Sequence, residues 1–138
     1  MKPLAGLVAA AIIVSTNLTS VHVSAHELGE KVDLSKEPVS YSDELASVFQ
    51  EDNVTYRCLT KNGEIMQVDH TKDGTKLYGN RIGKIFNDSP ANILPVYSWN
   101  NRDKSYSTYL DKEKRIIRFM YNSKTKIVEE ITVFINEL

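Results

Sequence analysis

The chain has 138 residues, of which 17 are basic and 18 acidic, for a formal net charge of −1. The basic residues are dispersed, so no concentrated positive field exists for nucleic acid. Lys112, Lys114, Arg115 and Arg118, interleaved with Asp111 and Glu113, read as a solvated turn and strand edge. The length supports one hydrophobic core and one domain.

The first 25 residues carry the pattern of an export signal. Lys2 gives a positive start, residues 4–14 are uncharged and apolar, and Val23-Ser24-Ala25 places small residues where a signal peptidase reads them. A spanning helix needs about 20 apolar residues, and Ser15, Thr16, Asn17, Thr19 and Ser20 break the run. The expected product is a periplasmic or secreted domain starting at His26. It has a net charge of −2, because only Lys2 among the charged residues is removed. No stable membrane insertion is expected after cleavage, and no cysteine sits at the cleavage site to take a lipid.

Residues 26–40 are polar, contain Gly29 and Pro38, and show no sustained period, which predicts a flexible arm. Ser40 and Asp43 stand at capping-box spacing, and Leu45, Val48 and Phe49 follow at i, i+3 and i+4. That pattern predicts one short helix over residues 42–51.

From Val54 the apolar period becomes two. Short runs rich in β-branched and aromatic residues alternate with turn signals such as Lys61-Asn62-Gly63, Lys72-Asp73-Gly74 and Asn100-Asn101-Arg102-Asp103. Connections this short leave no room for crossover helices, so the sheet is antiparallel. The expectation is a mainly β domain over residues 41–138: a small antiparallel β-barrel or sandwich of about 7–8 strands with one short N-terminal helix. No internal repeat is visible.

In the first hairpin, Val54, Tyr56 and Cys58 should face the core with Met66, Val68 and His70. A three-residue loop ending at Gly63 in the left-handed conformation pairs Cys58 with Met66 and Tyr56 with Val68. In the last strand Ile131, Val133 and Ile135 should face the core, with Phe134 on the opposite face. Residues 115–121 are apolar on both faces, which suits a central strand.

Chemistry-bearing residues are few. Cys58 is the one cysteine and reads as a buried, inert thiol, so no internal disulfide is available. A chain beginning at His26 offers an α-amine and an imidazole to copper. His70 is the one other histidine of the processed chain, and His26 is read as solvated, with no metal or other cofactor expected. Adjacent carboxylates such as Glu129-Glu130 should point to opposite strand faces, which leaves no acid–base pair, and no catalytic motif is present. The chain is therefore not expected to be an enzyme. Asn53-Val54-Thr55 is a glycosylation sequon that a eukaryotic export route alone would use.

The richest surface stretch is the strand-loop-strand unit around Tyr97, Trp99, Asn100, Arg102, Lys104, Tyr106 and Tyr109. Aromatic residues beside Arg and Asn at a strand-loop junction are common anchors of a protein or glycan contact. The competing reading places Trp99 and the tyrosines in the core. The loop Asn87-Asp88-Ser89-Pro90-Ala91-Asn92 is a second candidate.

Tyr56-Arg57-Cys58, followed by Lys61-Asn62-Gly63-Glu64 and an alternating strand through Val68, resembles the opening hairpin of the periplasmic c-type lysozyme inhibitors. That resemblance spans about 15 residues and implies an exported β-barrel that blocks an enzyme cleft with a loop. The family's usual late cysteine is absent, and its Ser-Ala-Ser-Gly type loop has no counterpart, so no inhibitory residue carries over. The expected function is a small exported, monomeric binding protein of inhibitor or immunity type acting on another protein. A small-molecule or metal binder of the periplasm and a host-interaction or structural protein are the alternatives.

Overall fold

The structure, a computed structural model, describes residues 25–135. The expected export signal, apart from Ala25, and the chain from Asn136 lie outside the described residues. Among the described residues there are ten strands: β1 (Val39–Ser42), β2 (Ala46–Glu51), β3 (Val54–Leu59), β4 (Ile65–His70), β5 (Lys76–Leu77), β6 (Asn80–Arg81), β7 (Ile93–Asn100), β8 (Lys104–Asp111), β9 (Arg115–Asn122) and β10 (Val128–Ile135). β5 and β6 make a small separate hairpin. The other eight form one antiparallel sheet in the order β1-β2-β3-β4-β10-β9-β8-β7. The mainly β, antiparallel expectation holds. The sheet is open at β1 and β7 and does not close into a barrel.

No helix forms over residues 42–51, which instead make the β1–β2 turn and strand β2. The apparent capping signal is an Asx turn, in which Asp43 Oδ1 accepts from the backbone N–H of Leu45 and Ala46, both at 2.8 Å. Ser47 and Phe49 then point inward at period two, while Leu45 stays exposed. Two short polar hydrogen bonds therefore outweigh a three-residue helical stripe. The only helical element described is a 3-10 turn, Leu34–Lys36, and no helix among the described residues is long and apolar enough to cross a membrane.

The sheet has one covered face. Phe49, Val54, Tyr56, Cys58, Ile65 and Val68 form one buried cluster on it, and Ile82, Ile93, Tyr109, Ile117, Phe119, Val128, Ile131 and Val133 form the other. Complete burial of a Phe- or Ile-sized side chain is worth about 1.5–3 kcal/mol. The Cys58 thiol is buried as expected, and burial, reinforced by the Glu37 carboxylate, pushes its pKa up to about 11.

Two irregular segments cover this face. Residues 26–40, expected as a flexible arm, lie against the first cluster through Leu28, Val32 and Leu34. The hidden signal was the backbone: Gly29 N–H donates to Ile65 O, Ile65 N–H to Glu30 O, and Val32 N–H to Gly63 O. His26, expected to be solvated, sets its ring edge-on to Phe49 and Tyr56 at 5.7 and 5.2 Å. The second cover holds Leu77, Tyr78, Ile82 and Phe86 over the other cluster. It is tied down where the Tyr78 hydroxyl donates to Asp111 (2.8 Å) and Arg115 binds both groups.

The two halves repeat one arrangement, although the sequence shows no repeat. Gly83, Lys84 and Phe86 engage Val128 and Lys126 by the same three bonds that Gly29, Glu30 and Val32 make to Ile65 and Gly63. Gly29 and Gly83 both have positive φ, as do Gly63 and Lys126. In the hairpin turns, Gly63 N–H donates to Leu59 O and Lys126 N–H to Asn122 O, both at 2.8 Å. The registers shift at matching places, between Arg57 and Cys58 and between Met120 and Tyr121. Each unit is thus a covering segment plus a four-stranded meander. The units meet where β4 pairs with β10, with Asp69 opposite Thr132 at the junction.

Those bulges alter two expectations. Tyr56 pairs with Val68 as expected, but Cys58 pairs with Ile65, so Ile65 rather than Met66 is the buried partner. Tyr121 pairs with Val128 and Met120 with Glu130, which leaves Glu129 as the extra residue.

Candidate functional site

β7 is an edge strand of eight residues, every one exposed except Ile93. Its register with β8 shifts between Pro95 and Tyr97, placing Val96 at the bulge. Leu94, Val96, Tyr97 and Trp99 are 67, 57, 62 and 48% exposed. An apolar edge of this length is a template for pairing with another chain, because among the described residues no strand lies beside its outward N–H and C=O groups. Pro95, which lacks an N–H, and the bulge restrict where such pairing can occur.

The sequence-predicted residues divide between the two faces. Trp99 pairs with Tyr106 and Tyr97 with Thr108, so Tyr97, Trp99 and Tyr106 share the outer, uncovered face. The Trp99 and Tyr106 rings are 5.0 Å apart. Lys104 is ion-paired to Glu129 across the face, and the hydrogen bond it donates to that carboxylate raises the lysine pKa. Arg102 extends from the loop tip, almost fully exposed. The loop is held by Asn101 Oδ1, which accepts from Asp103 N–H (2.9 Å) and Lys104 N–H (2.8 Å). Asn100 pairs with Ser105 on the covered side. Tyr109 is a core residue that pairs with Ile117, so it leaves the proposed surface. Tyr106 and Tyr109 stand three positions apart, an odd spacing that sends the two rings to opposite faces.

The outer face also holds residues that the sequence reading missed. The Arg118 guanidinium lies over the Tyr106 ring (5.5 Å) and the Phe134 ring (5.1 Å). Phe134 is thus on the face opposite the core, as expected, and half-covered by the Arg118 guanidinium. Beside it, Thr132 donates to Asp69 Oδ1 at 2.7 Å. The bulge at Glu129 brings Glu129 and Glu130 onto this one face, correcting the expectation that they point apart. Burial, followed by the hydrogen bond and charge of Asp69, pushes the Glu130 pKa up to about 7, while Arg118 opposes the shift. The signal for this cluster was the alternation Arg118, Met120 and Glu130, Thr132, obscured by the bulge.

A groove of about 710 Å³ runs along the β7 edge. Its covered side presents the hydroxyls of Ser98, Ser105 and Ser107, with Ser107 Oγ 3.0 Å from the Tyr121 hydroxyl. Phe86 stacks on Tyr121 at 4.1 Å to complete the wall. In the second candidate loop, Asn87 Oδ1 accepts from Ser89 N–H, and Asn80 makes two bonds to the Asn87 backbone. Comparisons with family models, curated proteins and solved structures find no match to this chain.

Proposed function

We propose that this protein is an exported binding module that takes an extended segment of another protein along β7. The exposed apolar run Leu94, Val96, Tyr97 and Trp99 on an unpaired edge carries this reading. Main-chain bonds to the edge would supply affinity, with alternate side chains meeting the Trp99–Tyr106 pair for specificity. Arg102 at the rim would add charge-assisted bonds. The amino-terminal signal pattern supports export, and the resemblance of the first hairpin to lysozyme inhibitors supports an inhibitor or immunity role. The module would work as a monomer.

The first assay is lysis of cell walls by a c-type lysozyme with and without the protein, followed by affinity capture from envelope extracts. For whichever partner is bound, Trp99→Ala should weaken affinity by more than about 2 kcal/mol and barely change the melting temperature. Val96→Lys should block pairing at the edge. A Trp99→Ala variant that melts far lower, or variants that bind as wild type, would remove this surface. The hydroxyl-lined side of the groove favours a second reading, a small polar ligand such as a sugar, which soluble saccharides would reveal by protecting the Phe86–Tyr121 wall in NMR titration.

A further inference from the structure

We infer that the covering segment of the first half carries a divalent-cation site formed by His26, Glu37 and Glu51, with zinc as its best fit. The ligand atoms of these three residues all lie within 4.8 Å of one another. His26 Nδ1 is 2.8 Å from Glu30 Oε2, and the other Glu30 oxygen accepts from Glu27 N–H at 3.1 Å. A carboxylate held in that way places the ring proton on Nδ1 and directs Nε2 as the ligating nitrogen, the usual arrangement behind a metal-bound histidine. Nε2 faces Glu51 Oε1 at 3.4 Å and Glu37 Oε2 at 3.7 Å. Those separations are long for a direct N–H···O bond. They lie close to the roughly 3.3 Å edge of a tetrahedron whose metal–ligand distances are about 2.0–2.1 Å.

The scaffold around the ring is rigid. Phe49 and Tyr56 stack on each other at 4.9 Å, are fully buried, and meet the imidazole edge-on. One nitrogen and two carboxylate oxygens suit zinc better than calcium, which takes six or more oxygens. The copper mode considered from the sequence uses the α-amine with Nδ1, whereas here Nδ1 is turned to Glu30 and the His26 backbone nitrogen lies 3.4 Å from the Tyr56 hydroxyl. His26 and Glu37 belong to the covering segment and Glu51 to β2. A bound ion would therefore staple the segment to the sheet, a role that a chain with one cysteine cannot give to a disulfide. The site is on the opposite half from the β7 edge, so it stands or falls independently of the binding role.

The test is titration of zinc chloride into chelator-treated protein, followed by calorimetry and thermal melting, with magnesium and calcium as controls. One equivalent of zinc should bind and raise the melting temperature by several degrees, with little response to the controls. Glu51→Gln and Glu37→Gln should each weaken binding at least tenfold, and Glu30→Gln should weaken it by about 10–100-fold through loss of the orienting bond. Glu51 is exposed, so its variant folds whatever the outcome. Absence of a zinc response, or binding that persists unchanged in Glu51→Gln, would overturn the site.

Discussion

The two halves of the sheet share one chain path and differ in what they do with it. In the first half the edge strand β1 has four residues, and Tyr41 there is tied to Asp43 by its hydroxyl (2.6 Å). In the second half the edge strand β7 has eight residues and leaves aliphatic and aromatic side chains to solvent. The covers differ in the same sense. Residues 26–37 bring a histidine and carboxylates together, while the second cover brings aromatic rings and faces a hydroxyl wall. The shared features are backbone features: positive-φ residues at the turns, bulges, and a covering strand fragment that caps the hairpin. The divergent features lie on edges and outer surfaces. One scaffold can keep its packing rules and still end in a short exposed edge on one side and a long apolar exposed edge on the other.

The strongest test of the shared scaffold is the pair Tyr56 and Phe119, which hold matching places at the centre of each cluster. Both are fully buried. Tyr56 stacks on Phe49, and Phe119 meets Tyr109 at 5.7 Å and Phe86 at 5.8 Å. Tyr56→Ala and Phe119→Ala should each cost about 3–5 kcal/mol. Because β4 and β10 unite the halves, both variants should still unfold in one transition. Trp99 fluorescence reports the second half alone, and far-UV circular dichroism reports both. Coincident urea curves support one cooperative sheet, and separated curves would show two units that fold on their own.

A smaller effect separates the two turns. Gly63 and Lys126 hold matching left-handed positions, with φ of 72° and 65°. A Cβ on Gly63 would lie 2.0 Å from the Val32 carbonyl oxygen, whereas Lys126 already carries one. Gly63→Ala should therefore cost more than about 2 kcal/mol, from backbone strain and displacement of the covering segment. Lys126→Gly should change stability by less than about 1 kcal/mol, since relief at positive φ offsets the gain in unfolded-state freedom. Equal effects at both positions would mean that the two covers are held alike.

The strands after Val54 were legible because period two survives in short runs between turn signals. Gly63 was legible for its left-handed place. The repeat was not, because matching core positions hold different residues of like character: Val54 and Ile117, Tyr56 and Phe119, Ile65 and Val128. Physical equivalence without identity leaves no trace in a self-comparison. The bulges at Met66, Val96 and Glu129 shift parity by one residue, so the faces of Met66 and Glu129 were assigned wrongly. Of the candidate surface, Tyr97, Trp99 and Tyr106 were found from spacing. Arg118 and Phe134 join them only through pairings between strands that sequence distance conceals.

The finest difference between the halves is a single oxygen. Glu130 and Gln67 occupy matching places beside the junction, each next to the bulged residue of its strand. Glu130 shares the outer face with Asp69 from β4, Arg118 from β9 and Glu129 from its own strand, and its pKa rises from 4.5 to about 7 through burial and then Asp69. Between those values the folded chain keeps a proton that the unfolded chain has released. Stability from this group is therefore fully present below about pH 4.5 and is lost as the pH rises through about 7. Glu130→Gln, which makes the second half match the first, keeps the neutral form at every pH. Its melting temperature should track the wild type in acid and move progressively above it from pH 5 to 8. Arg118→Gln, which removes the one cation opposing the shift, should enlarge the wild-type pH dependence. Parallel wild-type and Glu130→Gln curves across that range would show that the junction carboxylate titrates as an ordinary surface group.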